Sequence, residues 1–107
     1  MNAVKNKPNS VPLHEHAILM SEIFKALDDP TRVEIMLLLR SGEKCVCYLS
    51  EETGQSQSAI SHHMRILRTS HLVKHEKRGK HVYYSLDDEH IFNILGNCSE
   101  HILEHFS

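Results

Sequence analysis

The apolar residues of this chain fall into helical spacing, change to an alternating pattern, and then return to helical spacing. Leu13, Ala17, Met20, Phe24 and Leu27 recur at intervals of three and four and predict an amphipathic helix. Asp28-Asp29-Pro30 interrupts it. A carboxylate there can cap the next helix, and proline suits a first helical turn. Val33 to Leu39 is apolar nearly all round, which predicts a central buried helix stopped by Ser41-Gly42. Cys45 to Thr53 predicts a short helix closed by Gly54, and Ser56 is placed to cap the one that follows. In that helix Ile60, Met64 and Leu67 face inward, while Gln57, Ser61, Arg65 and Arg68 share the opposite face with Ser58 and His62 beside them. Leu72–Lys77 and His81–Leu86 carry β-branched and aromatic residues around Arg78-Gly79-Lys80, which predicts a β-hairpin. The last helix places Ile91, Ile94, Leu95, Cys98 and Ile102 on one face. Residues 1–12 hold Asn, Lys, Ser and two prolines without an apolar period and are expected to be a loose tail before a single domain over 13–107.

This order predicts a mainly α fold with a small β-hairpin. Two short helices joined by a glycine-containing turn, the second with a polar and basic outer face, form a helix-turn-helix. A basic-tipped hairpin directly after it makes that a winged helix-turn-helix. The residue types suit double-stranded DNA. Gln57 can make paired hydrogen bonds to adenine, and Ser58, Ser61, His62 and Arg65 can bond to guanine or phosphate. Lys77, Arg78 and Lys80 at the hairpin tip can straddle a phosphate backbone.

Charge sharpens this picture. The net charge is only −2, yet six of the twelve basic residues stand between His62 and His81 against one acid, Glu76. Past Leu86 come Asp87, Asp88, Glu89, Glu100 and Glu104 with no Lys or Arg. A cationic middle and an anionic end point to a nucleic-acid face and a cation site in one domain of 107 residues. With no run of eighteen apolar residues and no signal peptide, the protein is expected to be cytoplasmic, without a membrane partner.

The final helix carries the candidate metal chemistry. His90, His101 and Glu104 lie on a strip beside its apolar face. Thirteen residues separate Asp88 from His101, which at helical rise is roughly 20 Å. Zinc holds its ligands at about 2 Å, so the two ends cannot serve one ion within a chain. Antiparallel pairing of two such helices would bring the front of one to the rear of the other. Two-fold symmetry then builds two equal sites, each with Asp88 and His90 from one chain and His101 and Glu104 from its partner. On an ideal helix Asp88 points away from His90, so it must sit at an irregular helix start, or Asp87 replaces it. His105 is the alternative to Glu104.

The three cysteines include Cys45-Val46-Cys47, which favours reduced thiols or thiolate ligands over a disulfide framework. If both are helical, Cys45 and Cys47 diverge and do not chelate together. They are then either packing residues or a secondary metal or thiol site. Cys98, inside the apolar stripe, is expected in the core.

Glu43-Lys44-Cys45-Val46-Cys47, Ser56-Gln57-Ser58-Ala59-Ile60-Ser61-His62-His63-Met64 and Gly79-Lys80-His81-Val82-Tyr83-Tyr84 resemble the ArsR/SmtB family of bacterial metal-sensing repressors, over nearly all of residues 13–106. The resemblance implies a homodimeric winged helix-turn-helix, paired through its N- and C-terminal helices. The metal-free dimer would bind an operator, and metal would release it. Asp88, His90, His101 and Glu104 match the family's pattern for a zinc-type site between subunits. Two nitrogen and two carboxylate ligands suit zinc and also take cobalt or nickel. His101 matches the ligand that passes the signal toward the DNA-binding helices.

The Cys-Val-Cys is similar to that of the family's cadmium, lead and arsenic sensors, but Ser50 stands where arsenic sensors have a third cysteine, and residues 1–13 hold none. His14 and His16 are possible substitutes there. The alternative reading is therefore a repressor that senses thiophilic metals, arsenite or oxidation through Cys45 and Cys47. An enzyme is not expected: four protein ligands leave a metal no open position, and no separate general base is in view.

Overall fold

The computed structural model describes residues 11–106 and runs α1 (Leu13–Ala26), α2 (Pro30–Leu39), β1 (Lys44–Cys45), α3 (Val46–Thr53), α4 (Gln57–Thr69), β2 (Val73–Arg78), β3 (His81–Leu86) and α5 (Glu89–Phe106). The tail expected over residues 1–12 lies, except for Val11 and Pro12, outside the described residues.

Local chemistry sets most of these boundaries. Asp29 Oδ1 accepts from the Arg32 amide at 3.0 Å with Pro30 at the first helical position, so α2 starts where the sequence places it. Ser56 Oγ caps α4 in the same way, accepting from the Ala59 amide at 3.0 Å. Gly54 ends α3 with φ +75°, a conformation that costs glycine little. The end of α4 is a Schellman closure without glycine. Leu72 N–H bonds to the Leu67 carbonyl at 2.9 Å, His71 N–H to the Arg68 carbonyl at 3.0 Å, and His71 itself takes φ +59°.

β2 and β3 pair in register from Val73↔Leu86 to Arg78↔His81, leaving Gly79 and Lys80 as a two-residue turn. Gly79 has φ +61° at the first turn position, where hairpins of the II′ kind require it. The structure adds a strand that periodicity does not reveal. β1 pairs antiparallel with β3 (Lys44↔Tyr84, Cys45↔Tyr83), so the sheet order is β1-β3-β2.

The core joins α2 (Ile35, Met36, Leu39), α3 (Leu49), α4 (Ile60, Met64, Leu67) and the sheet (Val73, Tyr84), closed by Leu72. Those α4 residues are the inward set expected from their spacing. Helix α2 is central, but not buried all round: Leu37 is exposed. The apolar stripes of α1 and α5 are likewise open, and the core placement expected for Cys98 needs correction. The α1 stripe of Leu13, Met20 and Phe24 is exposed, and α1 reaches the core only through Ala26 and the half-buried Ile23 and Leu27. Cys98 is also exposed, and α5 buries only Leu95. Periodicity identifies which residues share a face, and within one chain nothing described covers these two faces.

Candidate nucleic-acid interface and metal centre

Helix α4 offers its outer face to solvent. Gln57, Ser58, Ser61, His62 and Arg65 are all exposed, opposite the wholly buried Ile60, Met64 and Leu67. His63, next to His62, turns inward: its Nδ1 lies 3.3 Å from Arg32 Nη1, and burial pushes its imidazole below the ordinary pKa. Arg68 shares the outer face but reaches across to the wing, with Nη1 3.0 Å from His75 Nε2. His75 in turn stacks on Tyr84, ring centroids 5.7 Å apart. Arg68 thereby links α4 to β2.

The three basic wing residues divide. Lys77, Arg78 and Lys80 are all exposed. Arg78 ends β2 rather than occupying the turn. Its guanidinium contacts Glu43 Oε1 at 2.7 Å and Glu76 Oε1 at 3.1 Å, and lies 4.5 Å from the Tyr83 ring centroid. Hydrogen bonding from Arg78 holds the Glu43 carboxyl below its usual range, while Glu43 and Glu76 raise the guanidinium further above neutrality. Two carboxylates thus neutralise the Arg78 charge locally and tie the wing to the segment leading into β1. Such exposed pairs contribute little stability; they set position. Lys77 and Lys80 remain the wing's cationic reach toward a backbone.

Cys45 and Cys47 meet, against the expectation for two helical positions. Cys45 is the extended N-cap of α3 (φ −84°, ψ 164°) and belongs to β1, so the diverging geometry of i,i+2 helical residues does not apply. The two Sγ atoms are 2.7 Å apart. The Cys47 thiol as hydrogen-bond partner lowers the Cys45 pKa, and Cys45 raises that of Cys47, so the pair loses its first proton more easily than an isolated cysteine and its second less easily. The pair opens onto a groove shared with Gln57, Ser61, Lys80 and His81, between α4 and the wing.

In α5 the expected irregular start is present. Asp88 precedes the helix and caps it, Oδ1 accepting from the Ile91 amide at 3.1 Å. Its second oxygen, Oδ2, lies 3.5 Å from His90 Nδ1. The Ile91 amide, then His90, keeps the Asp88 carboxyl below its usual range and so charged at neutral pH. At the other end the His101 and His105 rings lie against each other, centroids 4.2 Å apart and tilted by 35°, and His105 Nδ1 donates to the His101 carbonyl at 2.8 Å. His101 and Glu104 are exposed. Among the described residues no three His, Cys, Asp or Glu groups of one chain gather around a common point. The structure therefore brings Asp88 to His90 and keeps both from His101 and Glu104, the separation that helical rise demands. Ile94 and Ile102 are exposed, and Ile94 lines one groove with Phe24 of α1.

Comparison with known proteins agrees with this architecture. A family profile described as "Bacterial regulatory protein, arsR family" matches residues 29–75. A transcriptional repressor SmtB homolog from Synechocystis is 43% identical over 90 residues, covering 84% of this chain and 68% of that protein. A cadmium resistance transcriptional regulatory protein CadC homolog from Staphylococcus aureus is 42% identical over 83 residues, covering 77% and 69%. Among solved structures, the homodimeric winged helix-turn-helix DNA-binding domain Mb0332 from Mycobacterium bovis superposes with a TM-score of 0.83 over 94% of each chain, at 23% identity.

Proposed function

Because this chain belongs to the ArsR family of bacterial regulatory proteins, we propose that it is a metal-responsive transcriptional repressor whose metal-free homodimer holds operator DNA. Residues 13–107 would form the regulator, with residues 1–12 ahead of it. Zinc, with cobalt or nickel as substitutes, binds between two α5 helices and releases the DNA. The observation that carries this reading is the layout of α5. Asp88 and His90 stand 3.5 Å apart at its start, His101 and Glu104 lie at its far end, and an uncovered apolar stripe runs between them.

Burying the exposed faces of α1 and α5 against a second copy removes Leu13, Phe24, Ile94 and Ile102 from water. The same pairing completes the ligand sets. Asp88 and His90 of one chain with His101 and Glu104 of the other give two carboxylate oxygens and two imidazole nitrogens, a donor set that fits a borderline divalent ion. The ion supplies a positive centre that holds two α5 helices at one spacing. The chain's own residues do the remainder. Helix α4 presents Gln57, Ser61 and Arg65 to base edges and phosphates, and Lys77 and Lys80 follow the backbone. Changing the separation of the two α4 helices takes them out of register with successive major grooves. Reciprocity then requires operator DNA to weaken metal binding by the same factor. Zinc titrated into a fluorescent operator complex is expected to lower anisotropy at about one ion per chain; an operator affinity unchanged at saturating zinc overturns the reading.

One observation favours a second, additional sensor. Cys45 and Cys47 lie in contact, with the Cys45 pKa lowered by its neighbour, beside α4 and the wing. Soft cations such as cadmium, or arsenite, would bind that pair. The double substitution Cys45→Ser with Cys47→Ser is expected to leave zinc-driven release intact and to remove any release by cadmium or arsenite. Equal cadmium sensitivity in both proteins would rule the thiol pair out.

A further inference from the structure

Helix α5 contains a glycine, Gly96, in its interior, where glycine weakens a helix relative to alanine. The structure shows what it makes room for. The Arg40 side chain lies across the helix at this point: a Cβ on residue 96 would be 2.7 Å from Arg40 Nη2 and 3.2 Å from Cζ. Arg40 Nε donates to the Phe92 carbonyl at 3.2 Å, and the guanidinium carbon sits 4.0 Å from the Phe92 ring centroid. One arginine thus grips a single turn of α5 from below, by packing, by a hydrogen bond and over an aromatic face.

Both ends of this contact stand at informative places. Arg40 is the C-cap of α2, the helix whose Ile35, Met36 and Leu39 pack in the same core as the inward face of α4. A few residues on, the chain enters β1 and the start of α3. On the other side, the gripped turn 92–96 lies between the two proposed half-sites, and Asp88 lines the same cleft as Arg40 and Phe92. A rotation or slide of α5 carries the Phe92 carbonyl and ring with it, so the hydrogen bond and the ring contact hold only if the Arg40 side chain and the end of α2 shift with the helix.

The geometry points to Arg40, seated over Gly96, as the positioning residue through which a shift of α5 reaches the DNA-reading half of the chain. The inference rests on the proposed metal release and names a contact within this chain that transmits it.

The test is operator binding by anisotropy, with and without saturating zinc, for the unsubstituted dimer, Gly96→Ala, Arg40→Ala and the double variant. Alanine at 96 favours the helix while displacing the guanidinium. Gly96→Ala is therefore expected to keep its thermal midpoint, its zinc stoichiometry and its zinc-free operator affinity. Its zinc-driven loss of operator affinity should shrink about tenfold or more. Arg40→Ala should shrink it similarly, and adding Gly96→Ala to Arg40→Ala should change nothing further, because the shared contact is already gone.

Full zinc-driven release in both single variants overturns the role of Arg40 while leaving the metal reading intact. Additive losses in the double variant also overturn it. Absence of zinc-driven release in the unsubstituted dimer overturns the metal reading, and this inference with it.

Discussion

His101→Ala is expected to abolish zinc-driven release while leaving the operator complex itself intact. His101 is exposed on the last turns of α5, far from the α4 face and the wing. Its replacement removes a ring lying against His105 and no core contact, so folding changes by less than about 0.5 kcal/mol. The effect on regulation is large because a ligand set of four loses one of its two imidazoles. A coupling of about 3 kcal/mol between metal and DNA corresponds to over a hundredfold in operator affinity. That factor should collapse toward one in the variant. His105→Ala tests the alternative ligand: its Nδ1 is engaged with the His101 carbonyl, which leaves Nε2 open to a metal, and an unchanged zinc affinity in this variant assigns the position to Glu104. Isothermal titration of zinc together with operator anisotropy checks both variants. If His101→Ala fails to bind DNA without metal, His101 is structural. If it releases normally, His101 is not a ligand.

Leu67→Ala is expected to destabilise the fold strongly. Leu67 is fully buried among Ile60, Met64 and Leu72, and its carbonyl accepts the bond that closes α4. Truncation leaves a cavity where α4 meets the sheet and costs about 2–5 kcal/mol. That is a large part of the roughly 5–15 kcal/mol a domain possesses. The thermal midpoint, compared at one protein concentration because the dimer is part of the folded state, should fall by roughly 10 °C or more. A fall of only a few degrees, about what a surface substitution gives, would show that α4 is not packed as described.

The parts of this molecule that local chemistry determines were legible from the residues alone. Asp29-Pro30, Ser56 and Gly54 each act on the backbone within a few residues, and the structure places their helix boundaries accordingly. Spacing alone separated Ile60, Met64 and Leu67 from the outer face of α4, and helical rise kept Asp88 and His90 apart from His101 and Glu104.

What escaped depends on residues distant in sequence. β1 is two residues long and exists because Tyr83 and Tyr84 pair with it. That pairing takes Cys45 out of the helix and sets it against Cys47. Arg78 looked like a tip residue, yet Glu43, thirty-five positions earlier, holds it at the base of the turn. The histidine in the left-handed position after α4 replaces the glycine that would have marked the boundary. The exposed α1 stripe and Cys98 belong to the same class. Their periodicity was plain, but periodicity does not distinguish a face covered by the chain itself from one left for another copy.

The central claim, that each metal site is shared between two chains, has a direct test in mixed dimers. One chain carries Asp88→Ala with His90→Ala, and the other carries His101→Ala with Glu104→Ala. Each is expected to bind no zinc alone. After unfolding together and refolding, half of the dimers are mixed, and each mixed dimer regains one complete site from the intact ends of its two chains. Zinc should therefore return at about one ion per four chains. If mixing restores no zinc, or if either variant binds zinc fully by itself, the ligands are not contributed across the dimer and the account of α5 is wrong.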